Sequence, residues 1–329
     1  MNEYMSIPST QSIKGIFIIL VFFSHFNSYA LLSSRWDLLY KAVVELFGQT
    51  MVTMFLFYSG YGVMESVKKK GIAYVNDIPS KRILSTLFRF DCAVLLFGLC
   101  RWVYGEYFTF SDLLLSLVGW EALGNSNWYI FVINLLYAIT FIAFKVTGDE
   151  KPKQAFIVVL ALTCAYVLVL HFWQIKPLHW YDTALCYALG MWFSLYRKQV
   201  EQAVGANQKI YVFSVLAVAV CFLLCMKLYY VPFLWVVKNL SFAVLVVLVT
   251  MGVRVGNPVL QYCGENLFEI YILQRLPMIV FHKMGMYEYP VAYFLLCCAA
   301  TLLISIPFRK VVSCGRSYIS GAMRNGRKS

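Results

Sequence analysis

Residues 12–26 read SIKGIFIILVFFSHF, and this stretch decides the fold. Between Lys14 and His25 it consists almost entirely of large apolar residues. The apolar run covers residues 12–32, and roughly 20 apolar residues in a helix suffice to cross a bilayer. The run is too long for the apolar part of a cleavable signal peptide and lacks a small-residue cleavage site. We therefore expect it to remain as a membrane-spanning helix.

The composition of the whole chain supports the same conclusion. Of 329 residues, 61% are hydrophobic and only 13% are charged, whereas about 25% are charged in a typical soluble domain. A surface with so few charges must face lipid. The sequence predicts an all-α polytopic membrane protein with about ten transmembrane helices, forming one domain over residues 1–329 with no separate soluble domain. The predicted spans are 12–32, 44–66, 84–104, 127–146, 154–173, 179–196, 210–229, 232–252, 259–282 and 290–308.

The distribution of basic residues predicts the orientation. Of the 28 Lys and Arg residues, twenty fall on one side of the predicted spans, six on the other, and Lys238 and Arg275 inside spans. The richer side is cytoplasmic by the positive-inside rule, so an even number of spans places both termini in the cytoplasm. We expect a multi-pass protein of the inner or plasma membrane. This bias accounts for the net charge of +12, and we expect no nucleic-acid partner.

The ten cysteines do not predict a metal site. Most of them lie inside apolar runs and no CxxC pair occurs, so we interpret them as small packing residues of helices. We therefore expect neither a bound metal nor a disulfide framework.

Lys14 and His25 share one face of the first predicted helix. Eleven residues at about 100° each give three turns plus roughly 20°, and the rise is about 16 Å. His25 therefore lies near mid-bilayer when Lys14 is at the inner boundary. A histidine inside a span is costly unless paired or hydrated, which makes it a functional candidate. The alternative is a structural histidine that hydrogen-bonds to a neighbouring helix.

Five segments in order resemble the membrane acyltransferase-3 family. Residues 14–25 are similar to its first span, which begins Arg-Gly and has ten residues between the Arg and a His. Residues 55–61 (FLFYSGY) resemble its Phe-Phe-x-x-Ser-Gly-Phe, and 81–85 (KRILS) its Arg-x-x-Arg. Residues 127–130 (NWYI) resemble its Trp-Phe-Leu, and 264–274 (GENLFEIYILQ) its late Gly-x-x-Ser-x-x-x-Tyr-Leu-x-His. Together with about ten spans, the ordered set is more specific than any single segment.

Three residues depart from the family pattern. Lys14 replaces the Arg, which keeps the charge but loses bidentate recognition of a phosphate. Ser85 stands where the second Arg of the basic element is expected. Gln274 replaces the late His, which puts any role of a second histidine in doubt. These departures are typical of a divergent subgroup that has kept the histidine of the first span.

The resemblance implies an acyl-CoA-dependent O-acyltransferase with no permanently bound cofactor. The donor is acyl-CoA, with acetyl-CoA expected. The acceptor is a hydroxyl of an envelope or capsular polysaccharide or of its lipid-linked precursor. His25 is the candidate catalytic residue, either as a general base for the acceptor hydroxyl or as a transient carrier of the acyl group. Lys14, Arg82, Ser59 and Tyr61 are the candidate donor-binding residues.

Four other residues are candidates for binding the acceptor: Asn127, Trp128, Tyr271 and Arg275. One of these assignments, and one on the donor side, compete with structural explanations. Trp128 fits the aromatic belt at a membrane interface as well as a stacking surface for a sugar. Likewise, the Ser-Gly pair at 59–60 fits close helix packing as well as a contact to the acyl carbonyl.

The alternative function is a non-enzymatic transporter or flippase for a glycolipid or polysaccharide. It predicts broken helices and repeat symmetry between the two halves of the chain, and the sequence has no convincing repeat. The sequence also lacks Gly-x-Ser-x-Gly, His-Glu-x-x-His, P-loop and dinucleotide motifs, which argues against a soluble-type hydrolase, a metalloprotease and an ATP-driven pump. The oligomeric state is left open.

Overall fold

The computed structural model describes residues 3–32, 34 and 37–325, without the side chains of residue 46 and residues 315–325. Arg35, Arg327 and Lys328, which enter the charge count, lie outside these residues. Within the described part the regular elements are all helical, as predicted. The α-helices are α1 (Ile7–Asn27), α2 (Asp37–Phe47), α3 (Thr53–Lys70), α4 (Ile72–Asp77), α5 (Ser85–Val103), α6 (Phe110–Leu117), α7 (Trp128–Thr147), α8 (Pro152–Trp173), α9 (Leu185–Gly205), α10 (Gln208–Lys227), α11 (Leu234–Gly252), α12 (Pro258–Glu265), α13 (Leu267–Leu273), α14 (Arg275–Lys283) and α15 (Pro290–Asn325).

Seven helices of the described residues are long and apolar enough to cross a membrane. They are α1, the continuous segment Ile72–Val103, α7, α8, α10, α11 and the Pro290–Cys314 part of α15. The bent pair Asp37–Glu45 and Gly48–Lys70 makes an eighth if it is counted as one span. The predicted number of about ten is therefore approximate, and the chain is a multi-pass membrane protein.

Three predicted spans differ in form from the helices observed. The span at 44–66 corresponds to the bent pair, whose second part ends in three lysines. The span at 179–196 becomes α9, which starts later and continues into the polar residues up to Gly205. The span at 259–282 is divided into α12, α13 and α14. Hydropathy detects apolar length and does not report where a helix is interrupted.

The described chain forms two compact units. Unit 1 comprises Met1–Phe17, Phe47–Thr86 and Trp128–Gly264. Its most extensive helix–helix contact is the packing of α3 against α9. A Cβ at Gly60 would lie 2.0 Å from the Tyr187 carbonyl oxygen, and one at Gly190 equally close to that of Phe57. The two glycines therefore allow the backbones of these helices to meet, as small residues do in membrane proteins.

Unit 2 comprises Ile18–Leu46, Leu87–Asn127 and Glu265–Ser329. Its core joins the second half of α1 to α14 and α15 through Phe22, Phe26, Met278, Tyr293 and Cys297. The Tyr293 hydroxyl, buried among them, donates to the Met278 carbonyl over 2.6 Å. This bond satisfies a polar group that would be costly to leave unpaired in an apolar interior.

The outer face of α10 shows how the helices of unit 1 meet lipid. Phe213, Leu216, Val220 and Leu223 recur at helical spacing along one face, and each is more than half exposed. On another face of the same helix, the Phe222 ring packs 5.2 Å from that of Phe242 on α11. A broad exposed apolar face marks a surface that meets hydrocarbon or another protein, and in a multi-pass membrane protein it fits the lipid.

Candidate functional site

The start of α1 is held against α12 by two glycines of unit 1. A Cβ at Gly15 would lie 2.0 Å from the Leu260 carbonyl oxygen, and one at Gly264 would lie 1.9 Å from that of Gln11. This close approach explains why the residue after Lys14 is a glycine. It also fixes the helix turn that carries Lys14, whose ammonium lies 5.6 Å from the centre of the Tyr58 ring.

Arg82 lies beside Lys14 in unit 1, on a π-helical segment that runs from Ile78 to Leu84. Its Nε donates to the Tyr74 hydroxyl over 3.0 Å. The guanidinium carbon is 5.8 Å from the Tyr74 ring and 5.9 Å from the Tyr137 ring. The two cations are close enough to influence each other electrostatically. We call Lys14, Arg82 and the tyrosines 58, 74 and 137 the cation site.

Two like charges held together in an apolar unit favour an anion between or beside them. Tyrosine rings stabilise each cation through their faces, but no carboxylate forms an ion pair with Lys14 or Arg82 among the described residues. A phosphate group would supply that negative charge. The three tyrosines were not predicted, because nothing in the spacing of single tyrosines within spans distinguishes them from ordinary packing residues.

Ser59 and Tyr61 use their hydroxyls within the protein. Ser59 donates to the Phe55 carbonyl one turn earlier in α3, over 2.7 Å. The Tyr61 hydroxyl accepts from Arg197 over 3.0 Å. Arg197 in turn donates from Nε to Glu201 over 2.7 Å. Both hydroxyls therefore have protein partners, and the donor-binding role of these two residues remains a prediction.

Unit 2 brings together His25, Tyr271 and Arg275, three residues that the sequence predicted for the site. The ring centres of His25 and Tyr271 are 6.2 Å apart. Nδ1 of His25 is buried and has no hydrogen-bond partner among the described residues. Arg275 is a charged residue close to this imidazole. Its Nε donates to the Tyr29 hydroxyl over 2.9 Å. We call this group the histidine cluster.

The loop before α7 contributes polar groups to unit 2 that were not predicted from the sequence. The Asn125 carbonyl lies 3.5 Å from Nη1 of Arg275. Asn125 itself is fully buried, and its Oδ1 accepts from the Leu123 backbone N–H over 2.9 Å. The Asn125 Nδ2 and the Ser126 Oγ are buried without a partner among the described residues. The signal was the polar run Asn-Ser-Asn directly before an apolar span.

Asn127 and Trp128 are neighbours in sequence but belong to different units. Asn127 donates from Nδ2 to the Gly119 and Glu121 carbonyls, both over 3.0 Å, and so shapes its own loop. Trp128 is 9% exposed, and its ring lies edge-on to that of His179 at 5.6 Å. A buried ring offers little surface for stacking. The acceptor-binding role of both residues remains a prediction.

A buried ion pair also lies in unit 2, between Arg89 and Glu269. Glu269 is almost completely buried, whereas the Arg89 side chain is about one-third exposed. The Arg89 guanidinium also lies 4.4 Å from the Phe268 ring. The sequence did not indicate this pair, because hydropathy and spacing do not pair charges that lie far apart in the chain.

Comparison with known proteins gives a match to one family. No curated protein and no solved structure shows significant similarity to the chain. The sequence profile of one family, described as an acyltransferase domain, matches residues 9–310. That range includes Lys14, Arg82, His25 and Arg275, and it covers most of the chain. The chain therefore belongs to the acyltransferase-3 family and is a membrane acyltransferase.

Proposed function

We propose that this chain transfers an acyl group from acyl-CoA on the cytoplasmic side to a sugar hydroxyl. The acyl group proposed is acetyl, and the acceptor is an envelope polysaccharide or its lipid-linked precursor. The main support for this proposal is that Lys14 and His25 both lie on α1, which is one continuous helix from Ile7 to Asn27. The cation site around Lys14 suits the phosphates of CoA, and the histidine cluster suits the reacting thioester.

The proposed chemistry requires one proton acceptor at the reacting carbon. The acceptor hydroxyl oxygen attacks the acyl carbon of the thioester while the neutral imidazole of His25 takes its proton. The C–S bond then breaks, the acyl group stays on the sugar oxygen, and the proton passes from the imidazolium to the CoA sulfur. The unpaired Nδ1 of His25 supports this role, because no described protein group competes for it.

The donor side of the proposal predicts the behaviour of the cation site. Lys14→Ala or Arg82→Ala removes one charged contact, worth about 1.5–3 kcal/mol. We expect KM for acetyl-CoA to rise roughly ten- to a hundredfold. Lys14→Arg should be tolerated because it keeps the charge. The measurement is steady-state kinetics on purified protein, with the exposed Lys209→Ala as a matched loss of charge in unit 1. If Lys14→Ala raised only KM for the acceptor, the assignment of the donor would be wrong.

A donor on the cytoplasmic side requires a defined membrane topology of the chain. We expect a reporter fused after Lys70 or at the C-terminus to lie in the cytoplasm, and one near Gly105 to lie outside. The reason is the excess of Lys and Arg on one side of the spans. Paired alkaline phosphatase and green fluorescent protein fusions measure this, since the first is active outside and the second inside. Reversed activity at two of the three points would overturn the proposed orientation.

A further inference from the structure

A small cavity lies in unit 2, separate from the histidine cluster. It has a volume of about 200 Å³ and is lined by the end of α5, the loops around residues 104–106 and 123–124, and α14. Ligand pockets usually measure about 300–1,000 Å³, so this one accommodates a single small unit. We call it the rim pocket. Nothing in the family match assigns a role to it.

The rim of this pocket carries an excess of positive charge. Lys283 donates to Oε1 of Glu106 over 2.5 Å, and Nε of Arg101 lies 3.1 Å from Oε2 of the same carboxylate. The hydrogen bond from Lys283 is the main reason why the pKa of Glu106 is held below its usual range. Glu106 is therefore ionised at neutral pH, and two cations face one anion. The three side chains are each roughly one-third exposed.

The rim pocket also offers an aromatic face and a floor without a side chain. The Lys283 ammonium lies 4.9 Å from the centre of the Tyr104 ring, and Tyr104 is 40% exposed. Gly124 forms part of the floor with a φ of +105°, where a Cβ would meet Ile279 at 3.0 Å. A sugar ring stacks on an aromatic face, and Arg forms paired hydrogen bonds with a carboxylate or phosphate.

The floor of the pocket is connected to the histidine cluster through the chain. Gly124 is followed directly by Asn125, whose carbonyl lies within reach of Arg275. Asn125 and Ser126 also carry the buried donors that lack a partner among the described residues. A ligand in the rim pocket would therefore lie beside the loop that contacts the proposed reaction centre.

We propose that the rim pocket binds an anionic sugar unit of the acceptor, one that carries a carboxylate or a phosphate. This inference rests on the proposed function, because it takes the acceptor to be a glycan. It narrows the acceptor to an acidic one. The charged group would bind at Arg101 and Lys283, and the ring would pack against Tyr104.

Direct binding tests this without any turnover. Cys100, a free thiol, lines the pocket, so a bound sugar slows its alkylation by N-ethylmaleimide, measured by mass spectrometry of purified protein. The probes are glucuronic acid, glucose 6-phosphate and neutral glucose at equal ionic strength, with Cys221 on α10 as the internal reference. We expect one or both anionic probes to protect Cys100 and glucose not to. Which of the two protects distinguishes a carboxylate from a phosphate.

Three variants separate binding from a structural role of the ion pairs. Arg101→Gln and Lys283→Gln should raise the probe concentration needed for half-protection about fivefold or more. The exposed Lys227→Gln, in unit 1, should not change it. Glu106→Gln removes both ion pairs but increases the positive charge, so protection should persist or strengthen. If the ion pairs only held the loop, Glu106→Gln would be at least as harmful as Lys283→Gln.

The inference is overturned if glucose protects as well as the acids, if no probe protects, or if Glu106→Gln weakens protection as much as Lys283→Gln. These outcomes are independent of acyl transfer, because no acyl-CoA is present in the assay. A lack of acyl transfer with intact protection would instead overturn the proposed function and leave an acidic-sugar site. The result expected is protection by an acid, lost in Lys283→Gln and retained in Glu106→Gln.

Discussion

His25→Ala is expected to lower acyl transfer by roughly 10²–10⁴-fold while the protein is still inserted at a normal level. The imidazole is the proposed proton acceptor for the attacking hydroxyl, and alanine provides no basic group in its place. Water does not substitute well, because a group buried in a membrane protein has little bulk solvent around it. The measurement is the initial rate of transfer from acetyl-CoA to polysaccharide, normalised to the amount of protein in the membrane.

The matched control for this variant is His171→Gln, which removes an imidazole from the end of α8. His171 belongs to unit 1, where its ring packs near Phe233 and Trp235, and we expect the rate to remain within about threefold of the wild type. Transfer at a near-normal rate by His25→Ala would refute the catalytic role. A loss of protein rather than of rate would instead support a structural histidine that bonds to a neighbouring helix.

The Arg89–Glu269 pair is expected to contribute strongly to the stability of unit 2. Removing one partner of a buried ion pair leaves an uncompensated charge and costs about 3–5 kcal/mol. Because Arg89 is partly exposed, we expect Glu269→Ala to fall at the lower end of that range. The variant should show a lower midpoint of thermal unfolding in detergent and less protein in the membrane. The exposed Glu288→Ala, in the same unit, is the matched control.

A double variant tests whether the cost comes from the unpaired charge. In Arg89→Met with Glu269→Leu both charges are replaced by apolar groups, which is often neutral for a buried pair. We expect most of the lost stability to return relative to Glu269→Ala. Equal destabilisation by the single and double variants would show that Glu269 acts through other contacts and that the two residues are not energetically coupled.

The sequence was a good guide to helices that consist of one uninterrupted apolar run. The predicted 127–146 and 154–173 are observed as α7 and α8 to within two residues at each end. It was a poor guide to the region 259–282. Asn266 leaves the helical conformation there, with φ −101° and ψ 16°. Its side chain accepts a hydrogen bond from Arg309 over 2.9 Å, which offsets part of the cost of the interruption.

The second interruption in that region had a signal in the sequence. Pro277 has no backbone N–H, so it cannot bond to the carbonyl of Leu273, where α13 ends. Pro277 therefore gives this interruption a local cause that hydropathy does not detect. Physically, hydropathy sums side-chain transfer energies, whereas a helix break depends on individual backbone hydrogen bonds.

The residues of the candidate site also fall into those that the sequence could predict and those that it could not. Helical periodicity identified Lys14 and His25 because both lie on one helix, and its rule is local. The partners of these residues come from distant parts of the chain: Tyr58, Tyr74 and Tyr137 around Lys14 and Arg82, and Asn125 beside Arg275. Such contacts depend on how helices pack, which a single sequence without its fold does not specify.

Transfer of labelled acetyl from acetyl-CoA to polysaccharide tests the central claim most directly. The assay uses purified protein and envelope polysaccharide isolated from a host strain that lacks this protein. It follows both the label and the release of free CoA. We predict that CoA release depends on the polysaccharide, and that one acetyl appears on it for each CoA released. The proposed function is contradicted if the label stays on CoA, or if CoA is released at the same rate without polysaccharide and no label reaches the polysaccharide.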